Sequence, residues 1–175
     1  MRKIKVATVW FDGCSGCHMS VLDMDAGIIA LLRKVDIVYG PLVDAQEFPE
    51  DVDVTLVEGA ISTHEDVINL QKIRARTRTL VALGDCAVTS NVPSMRNTFP
   101  VNKILQRLYV EGAQENRAVP VDIPQLLKQA RPVHDFAKVD VHVPGCPPSP
   151  KAIAGVLTDL VEGRRTDANP KLKFG

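Results

Sequence analysis

The stretch Lys5-Val6-Ala7-Thr8-Val9-Trp10-Phe11, followed at once by Asp12-Gly13-Cys14-Ser15-Gly16-Cys17-His18, decides how the rest of the chain is read. Its first half is β-branched and aromatic and stops at Asp-Gly, as a strand running into a turn does. From Ser20 the period changes. Val21, Met24, Ile28, Leu31 and Val35 fall at helical spacing, with Leu22, Ile29 and Leu32 widening the apolar stripe. Asp23 and Asp25 come early and Arg33 and Lys34 late, as the helix dipole favours, so a helix of about four turns is predicted. A strand, a cysteine turn and a helix make the opening half of a βα unit.

The same alternation continues outward. Strands are expected over residues 36–43, 52–59, 79–83 and 139–143, the one over 52–59 being apolar enough to be buried on both faces. Ser62-Thr63-His64-Glu65 has capping-box spacing and predicts a helix to about Arg76. Residues 87–100 read as a long loop, 101–110 as a helix and 123–130 as another short one. Ser149-Pro150 opens a last helix, with Ile153, Val156, Leu157, Leu160 and Val161 on one side and Gly163 as its C-cap. Alternating strands and helices give an α/β fold. The most economical arrangement is a flavodoxin-like, doubly wound, parallel five-stranded sheet of order 2-1-3-4-5. Residues 1–165 form the expected domain and 166–175 a C-terminal tail.

Composition narrows the function. The 175 residues suffice for one core; 45% are hydrophobic and 24% charged, as in globular proteins that live in water. Lys plus Arg balance Asp plus Glu at 21 each, which leaves no electrostatic case for binding nucleic acid or an anionic membrane. No apolar run is long enough to span a bilayer, and the N-terminal residues do not read as an export signal, so a cytoplasmic location is expected. Four cysteines in such a compartment point to metal ligation or redox chemistry rather than disulfides.

In open α/β sheets, ligands bind beyond the carboxyl ends of the strands. Cys14 and Cys17 follow the first predicted strand, Cys86 the fourth and Cys146 the fifth, so all four thiols are expected at that edge. Gly13, Gly16, Gly84 and Gly145 beside them allow close backbone approach. Four thiolates suit one [4Fe–4S] cluster. A zinc site made of four cysteines has the same ligand count, although such sites usually use two C-x-x-C knuckles and this chain has one. Cys14-Ser15-Gly16-Cys17-His18 is also the c-type haem attachment pattern, which leaves Cys86 and Cys146 unexplained. Four unliganded cysteines would make their shared edge a coincidence.

Read in order, Cys14-Ser15-Gly16-Cys17-His18-Met19-Ser20, Val57-Glu58-Gly59-Ala60-Ile61, Leu83-Gly84-Asp85-Cys86-Ala87-Val88-Thr89 and Pro144-Gly145-Cys146-Pro147-Pro148 resemble the small subunit of [NiFe] hydrogenases. The likeness is closest to the NAD-reducing soluble, or bidirectional, type and runs from about Lys5 to Gly163. The related complex I subunit has adjacent cysteines where this chain has C-x-x-C. The resemblance implies that Cys14, Cys17, Cys86 and Cys146 bind one [4Fe–4S] cluster near a Ni–Fe centre held by a large partner subunit. It further implies that electrons leave to Fe–S and flavin diaphorase subunits, where FMN and NAD bind. No cysteine remains for the two further clusters of longer relatives, as in the short soluble type.

Other residues are weighed individually. Glu58, at the end of the third strand between the cysteine-bearing ones, is a candidate for moving protons or tuning the cluster, or for bonding backbone amides. His18 could donate to a cluster sulfur or serve helix entry, and His142 is expected in the core. Residues 87–100, with Met95 and Phe99, are expected at a subunit interface. No G-x-G-x-x-G is present, and a cysteine turn takes the loop that cradles phosphate in flavin-binding relatives of the fold, so FMN is not expected on this chain.

Overall fold

The computed structural model describes residues 2–164 and 166, so the expected tail lies outside the described residues except for Thr166. The main sheet consists of β1 (Ile4–Trp10), β2 (Val35–Tyr39), β3 (Val52–Glu58), β5 (Thr77–Leu83) and β7 (Val141–Val143). Every neighbouring pair is parallel, in the order β2-β1-β3-β5-β7. Counted along this sheet alone, that is the expected 2-1-3-4-5. The central strand β3 is buried along almost its whole length.

Helices cover both faces. On one lie α1 (Gly16–Leu22), α2 (Ala26–Leu32) and α6 (Pro150–Val161). Their core joins Val6, Val54, Leu56, Val81 and Leu83 to Ile153, Val156 and Leu157. On the other lies α3 (His64–Ala75), whose Leu70 and Ile73 pack on Ala7, Val9, Val57, Leu80 and Ala82. α6 starts as its sequence predicts: Ser149 Oγ accepts the Ala152 N–H at 3.2 Å and Pro150 takes the first position.

Several local expectations are corrected. The single helix after Ser20 is two seven-residue helices, and the first begins inside the cysteine turn at Gly16. Asp25, with φ 52°, breaks the ladder between them. The capping box is shifted by one residue. Thr63 accepts the Asp66 N–H at 3.0 Å, while Asp66 accepts those of Thr63 and Ser62.

Residues 126–131 form strand β6 (Leu126–Arg131) instead of a helix, antiparallel to β4 (Ile61–Thr63) in a small second sheet. Asn97 clamps Ala130 from both sides, its Nδ2 donating to the carbonyl at 2.8 Å and its Oδ1 accepting the N–H at 2.7 Å. The expected loop 87–100 contains most of helix α4 (Asp85–Thr89) and a 3₁₀ segment, Val92–Thr98. α5 (Val101–Gln106) runs into a π-helical turn, Arg107–Glu111. His142 is exposed rather than core, its ring 5.8 Å from that of His134, because β7 is an edge strand. Among the described residues, no helix is long and apolar enough to cross a membrane.

Candidate functional site

The parallel register sets the site. Trp10 pairs with Glu58, Glu58 with Leu83 and Leu83 with Val143, so the last residues of four strands form one row at the carboxyl edge. Cys14, Cys86 and Cys146 each lie three or four residues beyond that row, and Cys17 follows in the first turn of α1. All four cysteines are free thiols; Cys14 and Cys146 are exposed, Cys86 is half-buried and Cys17 is buried.

They are close enough to act on one another. Burial, then the Glu58 carboxylate, then Cys86, Cys14 and Cys146 push the Cys17 thiol far above its ordinary value. Burial, Cys146 and Cys14 also raise Cys86, against a lowering hydrogen bond from the Val92 N–H. Removing protons from such a set concentrates negative charge beside a buried carboxylate, charge that a bound cationic group would offset.

Backbone contacts tie the three cysteine loops together. Gly84 N–H donates to the Val143 carbonyl at 2.8 Å, and Asp85 N–H to the Gly145 carbonyl at 2.9 Å. In return, Gly145 N–H donates to Asp85 Oδ1 at 2.7 Å. Ser20, buried on α1, donates to the Pro148 carbonyl at 2.5 Å. Glu58 Oε2 accepts the His18 N–H at 3.0 Å and is also bonded to ring Nδ1. Gly84, at φ 83°, leaves the space in which Cys17 sits, for a Cβ there would lie 2.2 Å from its Sγ.

Sequence reading passed over Asp85 and Ser20. The partner of Asp85, Gly145, lies 60 positions away, and that of Ser20, Pro148, 128 positions away, so neither contact is marked by local spacing. The Cys146–Pro147 peptide is cis.

These residues fit an iron–sulfur group. The donors are four thiols, the glycine cradle gives them room, and His18 Nε2 is buried without a hydrogen-bond partner. Among the described residues, no three His, Cys, Asp or Glu side chains are arranged to hold a single metal ion. Several large apolar side chains are exposed: Trp10 at the end of β1 and Met19 on α1 stand about half exposed, as do Val92 and Met95 (69% exposed) on the 3₁₀ segment and Phe99 just after it.

Fold and site together define a doubly wound α/β protein that gathers four thiols from three loops at its carboxyl edge. The chain belongs to the NADH ubiquinone oxidoreductase, 20 Kd subunit, family, which matches residues 14–160. It is 40% identical over 171 residues to the NAD-reducing hydrogenase HoxS subunit delta of Cupriavidus necator, covering 94% of this chain and 82% of that one. It is 37% identical to a subunit of the vhu F420-non-reducing hydrogenase of Methanocaldococcus jannaschii, covering 97% of this chain but only 58% of that protein. A subunit in the crystal structure of an NAD+-reducing [NiFe]-hydrogenase in the H2-reduced state superposes with a TM-score of 0.92 at 37% identity. That match covers 99% of this chain and all of that one. The expected likeness to [NiFe] hydrogenase small subunits of the NAD-reducing type is therefore borne out.

Proposed function

We propose that this chain is the electron-transfer small subunit of a cytoplasmic NAD-reducing [NiFe] hydrogenase, in which a large partner subunit holds the Ni–Fe centre and splits H2. Residues 1–165 act as one flavodoxin-like unit. Cys14, Cys17, Cys86 and Cys146 hold one [4Fe–4S] cluster, which supplies one-electron redox chemistry between the Ni–Fe site and the next carrier. Fe–S and flavin diaphorase subunits, carrying FMN and binding NAD, take the electrons onward. All four cysteines are committed to the cluster, so the Ni–Fe site belongs to the partner.

The observation that carries this reading is the full-length superposition on a subunit of an NAD+-reducing hydrogenase, joined to a four-thiol site at the functional edge. The rival single-zinc reading is disfavoured by the spacing of the cysteines. A zinc site made of four cysteines usually uses two C-x-x-C knuckles, and this chain has one, Cys14 to Cys17.

What the chain's own residues do follows from the geometry. Glu58, Asp85 and Ser20 brace the cysteine loops so that little rearrangement accompanies each electron. Cys14 and Cys146 remain near the surface, where a partner covering Trp10, Met95 and Phe99 would exclude water. The test is anaerobic purification of the chain alone and with its partners. The complex should oxidise H2 with NAD+ and the isolated chain should not; H2 oxidation by the isolated chain would end this division of labour.

A further inference from the structure

We propose that the outer edge of β6 takes up an extended segment of a partner subunit as an added strand, with an acidic residue of that segment facing Lys128. The partner is the one that covers Met95 and Phe99 in the function proposed above, and the inference rests on that reading.

β6 pairs with β4 along one edge only, and the ladder there is irregular. Arg96 bridges the gap, donating to the Ser62 and Leu127 carbonyls at 3.1 Å each, so Leu127 faces β4. Ala130 faces the other way, and the Asn97 amide holds both of its main-chain groups, at 2.8 and 2.7 Å. A side-chain amide carries donor and acceptor in one plane, as a peptide group does. Asn97 therefore stands where one residue of a neighbouring strand would stand. Successive strand residues turn their N–H and C=O groups to alternate edges. Lys128, two before Ala130, thus turns its pair to the outer edge, and among the described residues nothing bonds either group on that side.

The space beside Lys128 is open. A cavity of about 490 Å³ starts at Asn97 and lies between Leu126, Lys128 and Gln129 on β6 and the facing Phe99, Pro100 and Val101. Leu126 and the exposed Phe99 give it apolar walls. Among the described residues Lys128 is the one charged residue lining it, and it makes no ion pair. Free main-chain groups select an extended chain, the apolar walls select an apolar side chain from it, and the lysine selects a carboxylate. A second copy of this chain fits worse. Pairing β6 with β6 would bring like charges together, and residues 97–102 wall the edge off from a whole sheet. Phe99 makes the cavity continuous with the surface already given to the partner.

The experiment uses the purified hydrogenase complex and the chain alone, with wild type, K128A and K128P. Amide exchange, resolved to single residues by mass spectrometry, reads the Lys128 N–H, which should exchange at least about tenfold more slowly in the complex than in the chain alone. K128P removes that N–H from a position that gives β4 no bond. Its fold and iron content should hold, while the complex dissociates about tenfold more readily on dilution. K128A keeps the N–H and loses only the charge, and should weaken the complex by about threefold. Carbodiimide, which joins lysine to carboxylate, should couple Lys128 to an acidic residue of the partner subunit. A Lys128 amide equally fast in both samples, or a K128P complex as tight as wild type, overturns the proposal and leaves the proposed function standing. Coupling of Lys128 to a second copy of this chain does the same. A wild-type chain that forms no complex with a hydrogenase large subunit overturns both. If K128P fails to fold, wild-type exchange and coupling decide alone.

Discussion

Replacing Gly84 by alanine perturbs the backbone and the cysteine site together. Its φ of 83° lies where an L-residue is strained, which costs about 1–2 kcal/mol. The new Cβ would fall 2.2 Å from Cys17 Sγ and 3.4 Å from the Gly145 carbonyl oxygen. Ordinary contact is about 3.5–4.0 Å, so the sulfur or the backbone must move by about 1 Å or more. Overpacking of this kind adds about 1–3 kcal/mol, for about 2–5 kcal/mol in all, a large share of the roughly 5–15 kcal/mol that holds such a domain. Thermal unfolding should then come about 4–20 °C earlier. G163A is the control: φ there is 67°, but nothing lies within 4 Å of the added Cβ, so only the backbone part is lost. Circular dichroism melts and iron and sulfide content, measured on both variants, decide the matter. G84A should melt below G163A and bind little iron. A G84A protein that melts with G163A and carries wild-type iron would refute the reasoning.

Three further outcomes follow from other contacts. Thr55 and Thr77 share a buried hydroxyl pair at 2.8 Å, so T77V should cost about 1–3 kcal/mol by stranding the Thr55 hydroxyl, while T55V/T77V should be closer to neutral. Urea titrations of the double-mutant cycle check this, and additive losses would contradict it. D85A removes the acceptor for Gly145 N–H and should lower cluster retention on mild chelator challenge, whereas D85N, which keeps an acceptor, should retain more; equal losses would count against the brace. Burial raises Asp53 and Asp140, but the Lys5 and Leu80 N–H groups and the Arg2 and Arg74 guanidiniums outweigh it and leave both below the usual carboxylate range. Their stabilising effect is present above the unfolded value, about 3.9, and is lost as pH falls through the lower folded one. D140N should therefore flatten the acid limb of stability measured between about pH 7 and pH 2; an unchanged limb would contradict the assignment.

The sheet was readable because its signal is local. Apolar strands such as β3 and β5 announce burial, and a parallel order puts whatever follows each strand at one edge, so the placement of Cys14, Cys86 and Cys146 could be inferred before any coordinates. β6 was not readable. Its strand character comes from pairing with β4 and from the Asn97 clamp on Ala130, partners far away in sequence. The break at Asp25 was hidden for the opposite reason: the apolar spacing runs through it unchanged, and only the backbone angle reveals the stop. Thr63 displaced Ser62 as the cap because Asp66 can reach back to both N–H groups, a choice between two adjacent candidates that spacing alone does not make. In the site, Glu58 stood out as a carboxylate at the end of an apolar strand, but its bond to His18 needs the turn of α1 toward β3.

The most direct measurement is iron, acid-labile sulfide and zinc content of anaerobically purified protein, combined with EPR of the reduced sample. A brown protein with roughly four iron and four sulfide per chain, losing its signal in each of C14S, C17S, C86S and C146S, is the predicted result. One zinc per chain, or a cluster that survives loss of any one of these cysteines unchanged, would contradict it.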